Sequence, residues 1–348
     1  MSLHNPQEAV RQMTGAAQSS NPISATLPFD EDGIHHGHLV LPWSRDESAW
    51  GTMRIPICVV KNGNGPTALI TGGNHGDEYE GPLAIVDWAA NVNLEDVSGR
   101  VIAVPFMNYP AFRAAKRTSP LDGGNMNRIF PGNPAGTVTE KIADYFQHTL
   151  LPMAEFVLDY HSGGKTLDFL PLAASHVLDD KEQEARCAAA RDAFGAPYTL
   201  AMREIDSVGM YDDAAEAMGK TFVTTELRGG GTNTPESVGI ARRGLRNFLI
   251  HAGILGGAVE TVQAQHLVQP DGDCFHFSDE AGLVEITEEL GAEVKAGTLL
   301  ARIWATGATG RKPREVRAHR DGILIAKHFP GLVQEGDCLA VLAVAVEG

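Results

Sequence analysis

Cysteine is scarce and scattered: Cys58, Cys187, Cys274 and Cys338 are the only four in 348 residues, and no two form a CxxC pair. That spacing suggests neither a disulfide framework nor a thiolate metal centre, and reduced thiols in a cytoplasmic setting are the expectation. Long apolar runs are also missing. None approaches the roughly 20 residues that cross a bilayer, and the opening MSLHNPQEAVRQMTGAAQSS lacks a basic-then-apolar export pattern. These first residues read as a frayed helix or tail, and no membrane partner is expected. Positive charge is in deficit, with 28 Lys and Arg against 44 Asp and Glu, a formal net charge of −16. Nucleic acid or an anionic surface would require clustered cations, so neither is an expected partner. Nothing in the composition bars a homo-oligomer.

What is present is enough apolar content, 43%, to fill a proper core. From about Met53 to Ala252 strand-like runs alternate with amphipathic stretches, which predicts an α/β fold with a mixed sheet flanked by helices. Strands are expected at Arg54–Lys61, Thr67–Thr71, Arg100–Pro105, Phe156–Tyr160, Tyr198–Met202 and Thr221–Glu226. Helices are expected at Gly81–Val92, Thr139–Leu151, Lys181–Phe194, Ser207–Met218 and Glu236–Ala252. The stretch from Met107 to Val138 carries four prolines and four glycines, too many breakers for regular structure, and reads as an active-site loop. After Thr261 short β runs with Gly-centred turns take over. Val294-Lys-Ala-Gly297-Thr-Leu-Leu300 recurs as Val333-Gln-Glu-Gly336-Asp-Cys-Leu339, and Gly282-Leu283 as Gly322-Ile323. The division that follows is a tail and lead-in strands at 1–52, a catalytic domain at 53–260 and a smaller all-β, barrel-like domain at 261–348. The repeat spacing resembles a biotinyl/lipoyl carrier barrel, but Arg311-Lys312-Pro313-Arg314 matches neither carrier motif. A β domain that walls the active site is the expectation.

Three strand ends carry chemistry. Thr71-Gly-Gly-Asn-His75-Gly-Asp-Glu78 follows an apolar strand and leads into a helix, so His75 and Glu78, three apart, can face one atom. Phe156-Val-Leu-Asp159-Tyr-His161-Ser-Gly-Gly164 adds a second histidine. Taken alone, His75 could be a surface loop residue and His161 a strand cap. Together, each beside glycines at a strand terminus, they form a His2Glu set that leaves a coordination position open, as catalytic zinc sites do. One Zn2+ per chain is expected. Asp159 could order an imidazole or simply pack on the same face. His35, His36 and His38 precede this core and read as exposed. The third strand end, Thr221-Phe-Val-Thr-Thr-Glu226 before Leu-Arg-Gly-Gly-Gly231, offers a general base that takes a proton from water and passes it to a leaving nitrogen. In the breaker-rich loop, Asn127-Arg128 suits a substrate carboxylate, and Arg117 could face the developing oxyanion or brace the loop through Asp122.

The order HxxE, NxNRxFPG, DYHSGG and TELRGGG resembles the succinylglutamate desuccinylase/aspartoacylase family, related to zinc carboxypeptidases, over most of the chain. The resemblance implies His75, Glu78 and His161 as zinc ligands, Asn127 and Arg128 as a carboxylate clamp, Glu226 as general base and, with Arg113 as a competitor, Arg117 at the oxyanion. It implies a small-molecule N-acyl amino acid substrate. Aspartoacylase-like members use a tyrosine from the C-terminal domain, whereas the last tyrosine here is Tyr211, which argues against N-acetylaspartate. The segments Asn21-Pro-Ile-Ser-Ala-Thr, Ser44-Arg-Asp-Glu-Ser-Ala-Trp-Gly51 and Gly72 to Pro82 look like the bacterial branch acting on Nα-acetyl-L-2,4-diaminobutyrate in ectoine breakdown. Peptide hydrolysis by the same metal and clamp is the competing enzyme reading, favoured by an open cleft. A carrier or binding protein, modified at Lys312, is the reading of another class.

Overall fold

The computed structural model describes residues 21–203 and 208–346. The expected tail at 1–20 and the start of the helix expected from Ser207 lie outside them. Thr67–Thr71 forms a strand buried at every position, as a continuous apolar run inside a covered sheet should be. It lies between Gly99–Val104 and Phe156–Asp159, parallel to both, and Thr221–Glu226 joins beyond, parallel to Phe156–Asp159. Antiparallel neighbours flank this parallel core: Thr52–Asn62 against Gly99–Val104, and Leu172–His176 against Thr221–Glu226. The result is the mixed α/β sheet expected from the sequence. Helices Glu80–Asn91, Lys181–Phe194 and Pro235–His251 cover one face, where Ile85, Phe194, Leu245 and Phe248 are among the core side chains. The other face packs Leu69, Ile102, Val157 and Phe222 against Ile142, Phe146 and Tyr211.

The sheet continues into the C-terminal β region. Tyr198–Met202 pairs with Gln265–Val268, which pairs with Cys338–Ala345, and Leu167–Phe169 adds to the edge of Gly322–His328. Within that region the two repeat halves are interlocked. Gly282 pairs with Val333 and Gly322 with Val294, so each half's leading strand, paired on one side within its own half, takes a second partner from the other half. Gly297 and Gly336, at matching positions, share φ near +86° and +90°, turns that glycine adopts without strain.

Some elements differ from expectation. The helix expected at Thr139–Leu151 is α-helical only over Val138–Tyr145; Phe146–Leu150 widens to a π turn and Leu151–Met153 tightens to 3₁₀. Helix Tyr211–Glu216 is shorter than read. Strands Leu167–Phe169 and Leu172–His176 were not anticipated, because one is three residues long and the other is Ala-rich and buried throughout, leaving no alternation to detect.

Candidate active site

The register aligns Thr71 with Asp159 and Asp159 with Thr224, so two parallel strands end level and the third runs two residues further, to Glu226. The chain beyond the first two ends brings His75 and His161 to the edge where Glu226 closes the third strand, and α/β sheets place ligands at such edges. Local backbone needs explain the glycines there. Gly73 sits at φ +65°, and a Cβ on Gly76 would overlap the backbone of Ala111 and Phe112. A non-glycine residue, Arg228, also takes a positive φ of 66° just after Glu226. Its guanidinium bonds Asp168 at 3.1 Å, and its carbonyl accepts the N–H of Gly163.

Both histidines turn Nδ1 toward Glu78, at 2.7 Å from Oε1 for His75 and 3.1 Å from Oε2 for His161. Their Nε2 atoms point away, His75 to Asn125 Oδ1 at 3.1 Å and His161 to Asp159 Oδ2 at 2.8 Å. Acceptors at both Nε2 positions favour the Nε2–H tautomers and leave two Nδ1 lone pairs converging beside a carboxylate. Asp159 is itself held by Thr71 Oγ1 at 2.6 Å and Asn74 Nδ2 at 3.2 Å, so the ordering reading of Asp159 has its geometry. Ser162 N–H donates to Glu78 Oε2 at 3.2 Å. Ligand atoms of His75, Glu78 and His161 lie within 4.8 Å of one another, and among the described residues no other His/Cys/Asp/Glu group is so placed. This donor set fits a single divalent cation. Burial disfavours ionised Glu78, but the neighbouring His75 and His161 outweigh that and hold it well below the usual carboxylate range. Burial lowers His75, whereas Asp159 and then Glu78 overcome burial and raise His161 well above its ordinary value.

Glu226 faces the same space. Its Oε2 is shut from solvent without a hydrogen-bond partner, and burial followed by the charge of Glu78 pushes the carboxyl up to about 8. Arg117 Nη1 lies 3.3 Å from His75 Nδ1 and 3.7 Å from Glu78 Oε1. Arg113 instead stacks on Tyr109, so Arg117 is the arginine that reaches the cluster. Asn127 accepts the Tyr211 N–H through Oδ1 at 2.9 Å, while Arg128 folds back onto the Asn127 carbonyl at 2.6 Å. All seven sequence-selected residues line one cavity of about 680 Å³. His35 and His38 engage Glu31 and Arg54 elsewhere. Sequence reasoning did not select Asn125, although it stands in the Asn125-Met-Asn127 motif, nor Asp212 and Gln269. Phe275, Ile325, Cys338 and Val341 from the C-terminal region also line the cavity, so that region walls the site as expected.

A sheet edge carrying a His–Glu–His cluster able to hold a cation, a shielded carboxylate and facing arginines has the groups that hydrolysis of an acyl bond calls for. The profile of the Succinylglutamate desuccinylase/Aspartoacylase catalytic domain matches residues 64–252, and the chain belongs to that family. Among its relatives is the N-alpha-acetyl-L-2,4-diaminobutyric acid deacetylase of Halomonas elongata, 54% identical over 332 residues, 95% of this chain and 97% of the relative. Two solved structures are similarly near. The product-bound ectoine utilization protein EutE (DoeB) of Ruegeria pomeroyi is 60% identical with a TM-score of 0.92, over 93% of this chain and 99% of that one. A succinylglutamate desuccinylase from Silicibacter sp. TM1040 is 59% identical with a TM-score of 0.92, over 94% and 99%. Among the described residues no helix is long and apolar enough to cross a membrane.

Proposed function

We propose that this chain is a zinc-dependent amidohydrolase that deacetylates Nα-acetyl-L-2,4-diaminobutyrate in ectoine degradation. The observation that carries the substrate is identity of 54%, spread over 95% of the chain, with a relative named for that reaction. His75, Glu78 and His161 would hold one zinc ion through the two converging Nδ1 atoms and the carboxylate. Such an ion supplies Lewis acidity and a water whose pKa falls toward about 7. Asn127 Oδ1 is already engaged, so its amide nitrogen and the Arg128 guanidinium take the substrate α-carboxylate. Arg117 faces the oxyanion that develops on the acyl carbonyl. Glu226 Oε2 accepts a proton from the attacking water and returns it to the departing nitrogen as the C–N bond breaks, releasing acetate and the free amino acid. The relative named for deacetylation favours this reading over peptide hydrolysis. The carrier reading has no support beyond the exposure of Lys312 between strands Leu299–Trp304 and Arg314–Arg317.

The test is a panel of N-acetyl and N-succinyl amino acids with zinc-loaded protein. Nα-acetyl-2,4-diaminobutyrate should give a much higher kcat/KM than N-acetylaspartate or N-succinylglutamate, and Arg128→Lys should keep only part of it because the planar fork is lost. Comparable rates on the acidic substrates would sink this substrate. Metal analysis should find about one zinc per chain, lost in His161→Ala.

A further inference from the structure

Four carboxylates among the described residues line the cavity: Glu78, Asp159, Glu226 and Asp212. The first three belong to the aligned strand ends or the turn beyond them. Asp212 stands apart, in the short helix Tyr211–Glu216. It is 7% exposed, and His176 Nε2 lies 3.8 Å from its Oδ2, with His176 Nδ1 in turn 3.0 Å from Glu216. Its chain neighbour Tyr211 donates its backbone N–H to Asn127, which ties Asp212 by one residue to the proposed α-carboxylate clamp. Much of the surrounding wall is apolar, including Leu172, Leu200, Met210, Phe222, Ile325 and Val341. Such a wall cannot solvate a cation, and an ammonium enters it at low cost only against a carboxylate.

We infer that Asp212 is the specificity-determining residue that receives the side-chain ammonium of the substrate. The inference rests on the proposed placement of the α-carboxylate at Asn127 and Arg128. With that group anchored and the acetamide at the His75–Glu78–His161 cluster, the third substituent of the α-carbon points to the remaining wall. Arg203 also lines the cavity and carries the opposite charge, so an acid-selective pocket would rest on Arg203 instead.

The experiment compares zinc-loaded protein and Asp212→Asn on Nα-acetyl-L-2,4-diaminobutyrate and on N-acetyl-L-norvaline, an uncharged substrate of nearly the same shape. The unaltered protein should prefer the charged substrate. Asp212→Asn should lower kcat/KM on it by roughly tenfold to a hundredfold, the range for losing a charged hydrogen bond, with little change on norvaline. An unchanged ratio in the folded variant would overturn the role of Asp212 and leave the proposed substrate standing. Absence of any preference in the unaltered protein would overturn the substrate and this inference with it. Should the variant not fold, a crystal structure of the unaltered protein with L-2,4-diaminobutyrate decides the matter. An ammonium within roughly 3 Å of an Asp212 oxygen supports the inference, and an ammonium held elsewhere overturns it.

Discussion

At Glu226, burial and then the charge of Glu78 oppose ionisation, raising the carboxyl from an ordinary 4.5 to about 8. The folded protein therefore binds more protons than the unfolded chain between those values. Stability contributed by this group is greatest below pH 4.5, falls as pH rises to about 8, and is level beyond. Glu226→Gln in metal-free protein should flatten the decline of Tm across that interval, and an unchanged slope would show that the carboxyl ionises freely. In zinc-loaded protein the same substitution should leave metal content and substrate affinity in place while kcat falls roughly a hundredfold or more. Near-normal turnover would demote Glu226 to a structural carboxylate. At this scale legibility follows locality. His75 and Glu78 are three residues apart, and Asp159 and His161 two, so their spacing can be read. The partnership of His75 with Asn125, across 50 residues, and the place of Asp212 on the cavity wall arise only when distant segments meet.

The elements that position the site depend on a turn with no room to spare. After Thr67–Thr71 the chain passes against the short helix Tyr109–Arg113, and Gly76 lies where any Cβ would strike the backbone of Ala111 and Phe112. Backbone cannot move aside as a flexible side chain can. Gly76→Ala should therefore displace His75 and Glu78, with loss of zinc and activity and a drop of roughly 1–3 kcal/mol in stability, typical of overpacking. Gly239 provides the contrast, being exposed within helix Pro235–His251 with nothing near its missing Cβ. Gly239→Ala should raise stability by about 0.5–1 kcal/mol in denaturant titration, the helix-propensity difference, with activity unchanged. Equal effects at the two positions would remove the steric account of Gly76. Lys181–Phe194 and Thr221–Glu226 coincide with their sequence readings because each has a clear boundary: an Asp180 cap and Gly195 for the helix, Gly219 and the Gly-rich turn for the strand. The strand Leu172–His176 has no such pattern, and only its neighbours define it.

On the scale of the molecule, the internal repeat is legible because the same glycine-centred turns recur, whereas the attachment of that region to the sheet is not. Pairing of Leu167–Phe169 with Gly322–His328, and of Gln265–Val268 with both Tyr198–Met202 and Cys338–Ala345, joins segments that no local periodicity connects. One core results: Leu170, Leu172 and Leu200 pack with Leu267, Ile323, Ile325 and Val341. Because the same contacts wall the cavity, stability and catalysis should depend on the C-terminal region together. Calorimetry of the metal-free protein should show one transition with equal calorimetric and van't Hoff enthalpies, since neither part can open without exposing that shared core. A chain ending at residue 260 should lose the partners of Leu172 and Leu200, expose the sheet edge at Tyr198–Met202, and aggregate. Two separated transitions, or a soluble shortened chain that binds zinc and retains turnover, would show that the catalytic region folds alone and that the C-terminal wall is dispensable.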